Sequence, residues 1–196
     1  MKHRTDVIQP PVMAFLDTEF TGLGSAPVLL SVGIVLGGGN HREFYAEVVD
    51  ADRLGAAASF TVRNVLPQFG YIAGAGCLYV ELVVRLRAFL LDLAPLRESG
   101  KFVEIAFNSD IDWMLIQQAL KDDHDLSLPR IAHFIRPVNI YNMLGFAAGE
   151  AAADDYYASQ ATSPVHRHHA LCDARALRIA YAAASATGAP RRSSRS

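Results

Sequence analysis

The first sustained apolar run in the chain is Val12-Met13-Ala14-Phe15-Leu16, a pattern that predicts a strand buried on both faces. Thr21-Gly22-Leu23-Gly24 breaks it with turn-forming residues. Val28 to Leu36 is a second apolar, β-branched stretch, followed by Gly37-Gly38-Gly39-Asn40, a hairpin turn signal. Glu43 to Val49 alternates and completes a three-strand meander. The period then changes. Val62, Val65 and Leu66 fall on one helical face limited by Pro67, and Leu78 to Leu93 repeats at helical spacing. Lys101 to Phe107 is a fourth strand, and Asp110 to Lys121 a helix with Asp110 at its N-cap. Ile131 to Val138 is a fifth strand, with a helix near Tyr141. Gly149 to Pro164 reads as a loop, and His168 to Ala184 as an Ala-rich helix. Three strands in a meander, followed by alternating helices and strands, predict an α/β fold with a mixed five-stranded sheet flanked by helices.

The composition agrees with that picture. The chain has 196 residues, 51% of them hydrophobic and 19% charged, which is the profile of a packed domain with a full core. A single domain over residues 11–187 is expected, with flexible termini at 1–10 and 188–196; the last of these is basic and Ser-rich. No apolar run is long enough to cross a bilayer, and the first residues carry no signal-peptide pattern. A cytoplasmic protein without a membrane partner is expected. Cys77 and Cys172 are too few for a disulfide framework or a zinc site. The net charge of −2 argues against coating a long nucleic-acid backbone. It permits an enzyme that grips only a strand end, where bound cations supply positive charge.

Three clusters carry chemistry. In Asp17-Thr18-Glu19, both carboxylates point to one side of a strand end and repel each other unless a cation lies between them. Oxygen ligands of this kind suit Mg²⁺ or Mn²⁺. In Asn108-Ser109-Asp110-Ile111-Asp112-Trp113, the acids also suit the positive end of a helix dipole, and that explanation is given to Asp110. In His168-His169-Ala170-Leu171-Cys172-Asp173, His169 and Asp173 are four apart on the expected helix and share a face. Taken singly, each cluster also has a plain reading as solvated charge.

Taken together, they resemble a known family. Phe15-Leu16-Asp17-Thr18-Glu19-Phe20-Thr21-Gly22-Leu23 looks like the first motif of the DEDD 3′-5′ exonucleases. Phe107-Asn108-Ser109-Asp110-Ile111-Asp112 is similar to the second, and His168-His169-Ala170-Leu171-Cys172-Asp173 to the third. The His five residues before the last Asp matches the His-type (DEDDh) branch. Val62-Arg63-Asn64-Val65-Leu66-Pro67 and His169-Ala170-Leu171-Cys172-Asp173-Ala174-Arg175 resemble small bacterial exoribonucleases of the RNase AS type. Position 107 is Phe where many relatives carry His.

The resemblance implies an RNase H-like fold and two-metal phosphodiester hydrolysis. Asp17, Glu19, Asp112 and Asp173 would hold two Mg²⁺ or Mn²⁺ ions, with Asp17 bridging. His168 would be the general base, with His169 a neighbour and His166 a remote third candidate. The partner would be the 3′ end of single-stranded or short RNA, the product a nucleoside 5′-monophosphate, and the assembly a homodimer. Thr18, Phe20, Thr21, Leu23 and Asn108 are the expected substrate contacts; Arg63, Arg136 and Arg167 could meet phosphates. The alternatives are a DNA exonuclease for repair or proofreading and a non-catalytic nucleic-acid-binding module.

Overall fold

The computed structural model describes residues 12–24, 26–38, 42–96, 102–122, 127–144 and 147–187. The expected leader and tail, residues 1–10 and 188–196, lie outside them, as do Gly39, Asn40 and Lys101. Six strands form one sheet: β1 (Met13–Phe20), β2 (Leu29–Leu36), β3 (Glu43–Val48), β4 (Gly76–Cys77), β5 (Val103–Phe107) and β6 (Ile135–Asn139), in the order β4-β3-β2-β1-β5-β6. β1, β2 and β3 pair antiparallel, whereas β5 runs parallel to β1 and β6 parallel to β5. This mixed sheet, antiparallel from β1 to β3, parallel from β1 to β6, and with the short β4 parallel to β3 at the edge, is compatible with an RNase H-like α/β fold.

Helices cover both faces. On one face α3 (Tyr79–Leu91), α4 (Asp110–Lys121) and α5 (Ser127–Ala132) bury Leu82, Leu86, Leu115, Ile116 and Ile131 against Ala14, Leu16, Val32 and Ile34. On the other, α8 (Ala170–Ala186) lays Leu177 on Phe15, and Leu171 and Ala174 on Val35. The alternation along β1 therefore has two destinations. Ala14, Leu16 and Thr18 face α4; Phe15, Asp17 and Glu19 face α8.

Several expectations are corrected. The sheet has six strands rather than five, because the two-residue β4 pairs with β3 and is too short to leave a period. The last strand is Ile135–Asn139 rather than Ile131–Val138, since Ile131 belongs to α5. As an edge strand it tolerates Pro137. Residues 149–159 are helical rather than loop, and only 160–164 turn as expected. α7 (Ala147–Ser159) packs on α8, and its Gly149 permits the approach, because a Cβ there would stand 3.1 Å from the Ala180 carbonyl oxygen. Asp110 is not the N-cap of α4; Ser109 is, and Asp110 accepts a bond from Asn139 Nδ2 at 2.6 Å. The helix expected around Val62 is α2 (Ser59–Asn64) followed by a 3-10 turn, Leu66–Gln68, with Val62 exposed rather than sharing the buried face. Short helices α1 (Ala51–Gly55) and α6 (Tyr141–Leu144) and a second 3-10 turn, Ala94–Leu96, complete the described elements. Among the described residues no helix is long and apolar enough to cross a membrane.

Candidate active site

β5 pairs with β1 only from Met13 to Phe15. Beyond that point the β5 side of β1 is open, and the N-terminus of α4 enters the gap. Asp112 Oδ1 accepts the Thr18 amide at 3.2 Å and the Thr18 hydroxyl at 2.7 Å, standing in for the missing ladder partner. The other side of β1 remains paired with β2, and the register shifts between Glu19 and Phe20, an irregularity of the kind that redirects side chains at a strand end.

The third element is the start of α8. Gly33 of β2 is the cross-strand partner of Asp17, and a Cβ built on it would stand 2.3 Å from the Ala170 carbonyl oxygen. Only glycine lets the backbone of α8 rest directly on β2 at this place. Asp173, in the first turn of α8, is thereby brought over Asp17 and Glu19. Its Oδ2 accepts the His168 amide at 3.1 Å.

Four carboxylates thus converge from β1, α4 and α8. Burial, then the charges of Asp112, Asp173 and Glu19, hold the Asp17 carboxyl well above the usual range. Burial and the charges of Asp173 and Asp112 push Glu19 up to about 9. Burial raises Asp112 to about 6 against the pull of its Thr18 hydrogen bonds. Asp173 rises to about 6, again through burial, against the pull of the Tyr157 hydroxyl and the His168 amide. Asp112 Oδ2 and Asp173 Oδ1 are buried without a hydrogen-bond partner among the described residues. Crowded carboxylates with orphaned oxygens are a donor set that could hold a cation. Ligand atoms of Glu19, His168 and Asp173 already lie within 4.8 Å of one another.

His168 occupies the left-handed backbone region, with φ of 68°, unusual for a residue with a Cβ. Its ring meets Phe60 edge-on, centroids 5.1 Å apart. Burial, then the charges of Arg167 and His166, lower its pKa. His169 behaves differently. It is the N-cap residue rather than a helical one, so it does not share a helix face with Asp173. It is fully buried and stacks on Tyr45 at 4.4 Å, away from the cluster. His166 is exposed, its Nδ1 beside the Arg167 carbonyl.

A cleft of about 680 Å³ opens beside the cluster, lined by Asp17, Asn108, Tyr157, Arg167, His168 and Asp173 among others. The expected substrate contacts divide. Asn108 borders this cleft, and Leu23 is 87% exposed. Phe20 is half-buried against the main core. Thr18 turns inward to Asp112, and the Thr21 hydroxyl accepts the Val28 amide at 3.1 Å. Thr18 lies between two outward carboxylates, so strand alternation sends it the other way. Of the three arginines, Arg167 borders the cleft and sits over the Tyr157 ring at 5.1 Å. Arg63 and Arg136 are exposed elsewhere.

Sequence reasoning missed Phe60, Tyr157 and Gln68. Tyr157 was hidden in a segment read as loop. Phe60 lies in α2 and Gln68 in the 3-10 turn that follows it, on either side of the Val62–Pro67 segment, and no local period there shows which way either side chain points. No family model matches this sequence, and no curated protein matches it.

Proposed function

We propose that the protein is a metal-dependent 3′-5′ exonuclease that hydrolyses the terminal phosphodiester bond of single-stranded or short RNA and releases nucleoside 5′-monophosphates. One observation carries the reading: four carboxylates from three elements meet beside a histidine, and two of them bury an oxygen with no hydrogen-bond partner among the described residues. An all-carboxylate donor set with one imidazole at its edge fits Mg²⁺ or Mn²⁺. Asp17, Glu19, Asp112 and Asp173 would hold the two ions. When bound, the ions supply activation of water and neutralise charge developing on the phosphate and the leaving 3′ oxygen.

The remaining steps belong to the chain. His168, its pKa lowered by burial, is neutral near pH 7 and accepts a proton from the attacking water. The water oxygen bonds to phosphorus, the bond from phosphorus to the 3′ oxygen breaks, and that oxygen takes up a proton. Tyr157, whose phenol is held protonated by burial and by the facing Asp173 carboxylate, borders the cleft beside Asp173. Exposed Leu23 and half-exposed Phe60 offer apolar faces for a terminal base, a contact that tolerates any sequence. Arg167 meets a phosphate. The family resemblance also carries a homodimer, which sedimentation would detect as twice the mass of one chain.

With Mn²⁺ or Mg²⁺, the protein is expected to release mononucleotides stepwise from the 3′ end of a 5′-labelled single-stranded RNA. Chelation or Asp17→Asn should abolish release. Internal cuts, or full activity in Asp17→Asn, would overturn the reading. Faster cleavage of a matched DNA would assign the DNA substrate instead, and binding without cleavage a non-catalytic module.

A further inference from the structure

His168 is held in an unfavourable backbone conformation, and the chain around it must over-determine that conformation for it to persist. Its φ of 68° lies outside α8, which begins at Ala170, and Asp173 of that helix holds only its amide, at 3.1 Å. A second restraint, on the carbonyls of Arg167 and His168 and the amide of His166, comes from a residue a hundred positions earlier. Gln68, at the end of the 3-10 turn after α2, is 2% exposed. Its Nε2 donates one hydrogen to the Asn64 carbonyl at 2.7 Å and shares the other between the Arg167 carbonyl at 2.9 Å and the His168 carbonyl at 3.1 Å. Its Oε1 accepts the His166 amide at 2.8 Å. One buried amide therefore binds main-chain groups on three consecutive residues of the His168 segment, and ties them to its own helix.

The same stretch of chain restrains the ring. Phe60, eight residues before Gln68, packs edge-on against His168. The segment itself is anchored to the carboxylate strand, since Thr61 Oγ1 donates to the carbonyls of Phe20 at 3.1 Å and Thr21 at 3.3 Å. Asp17, Glu19 and His168 thus share one continuous brace: β1, its turn, α2, the 3-10 turn, and the His168 loop.

We propose that Gln68 is a positioning residue that fixes the His168 backbone, and with it the reach of the imidazole towards the carboxylate cluster. This inference rests on the exonuclease reading for its catalytic consequence, although not for its structural one. Gln68 touches neither substrate nor cluster. Its loss should act on the chemical step through His168 and leave ground-state binding in place.

The test is a double-mutant cycle on the full chain with Mn²⁺, using Gln68→Met, which keeps the side-chain length and removes the polar atoms. The expected result is a kcat lowered about 10- to 100-fold, KM within about threefold of wild type, and Mn²⁺ affinity retained in calorimetry. Combined with His168→Ala, it should cost no more than about twofold beyond His168→Ala alone, because residues that act through one another are not additive. Full multiplication of the two losses, or an unchanged kcat in Gln68→Met, overturns the proposal. If Gln68→Met does not fold, Gln68→Glu, which keeps the acceptor for the His166 amide and loses the donors, enters the same cycle. Amide hydrogen exchange separates the two levels. Faster exchange at both His166 and His168 supports the brace; faster exchange at His166 alone, which merely loses its direct partner, overturns it. Should the wild type cleave no nucleic acid, the exonuclease reading fails and the exchange result alone decides the role of Gln68.

Discussion

Thr18 and His169 show how little a side chain's chemistry says about its task until its direction is known. Thr18 lies between two carboxylates of the cluster but faces α4, where its hydroxyl and amide hold Asp112. Thr18→Val removes the stronger of those bonds. It should weaken Mn²⁺ binding by about 10- to 100-fold, the usual cost of losing an outer partner of a ligand, as read by calorimetry. His168 and His169 are neighbours with opposite fates. His168→Ala should lower kcat by about 10²- to 10⁴-fold, the range for a lost general base, with metal affinity retained. His169 is buried against Tyr45 with its pKa pushed down to about 4 by burial. His169→Ala should therefore cost about 1–3 kcal/mol of stability, read as a lowered denaturation midpoint, while the rate per folded molecule stays near wild type.

The decisive contact between elements is the one between β2 and α8. Asp173 reaches the cluster only because Gly33 lets the Ala170 backbone touch the strand. A methyl group at Gly33 must push the first turn of α8 outward, since the atoms it meets are main chain rather than a flexible side chain. Gly33→Ala is expected to separate Asp173 from Asp17 and Glu19, costing about 1–3 kcal/mol as an overpacked contact and nearly all metal affinity. Wild-type Mn²⁺ affinity in that variant would show that α8 is seated some other way. α7 makes the complementary point. Its Ala-rich, acidic sequence has little amphipathic pattern, and it is helical because it lies across α8 and closes the cleft with Tyr157.

For the molecule as a whole, the carboxylate cluster is a cost carried by the fold when no cation is bound. Glu19 rises from 4.5 to about 9, and Asp112 and Asp173 from 3.8 to about 6. A carboxyl group whose pKa is higher folded than unfolded contributes stability that is complete below its unfolded value and is lost as pH rises through its folded value. Metal-free protein should accordingly lose stability between pH 4 and 6 as Asp112 and Asp173 ionise, and continue to lose it towards pH 9 through Glu19. Mg²⁺ or Mn²⁺ should flatten or reverse that slope, because it binds the ionised, folded form. Thermal denaturation across this range, with and without the ion, measures it directly. A metal-free midpoint that rises from pH 5 to pH 8 would contradict the electrostatics of the cluster.

The sequence by itself determined the framework. The apolar run at 12–16, the hairpin signal and the helical period over 110–121 encode local structure, because burial of a face imposes a period on the residues that form it. It also determined the two carboxylates of β1 as a pair, since strand alternation fixes i and i+2 on one side. The tertiary structure decided the rest. It set which face of β1 looks at α8, that Asp112 enters through the gap left where β5 stops, that His168 faces the cluster while His169 turns to Tyr45, and that Gln68 holds a segment a hundred residues away. These are contacts between distant parts of the chain. Their cause is the packing of one element on another, and neither partner's local sequence carries a period or motif that names the other.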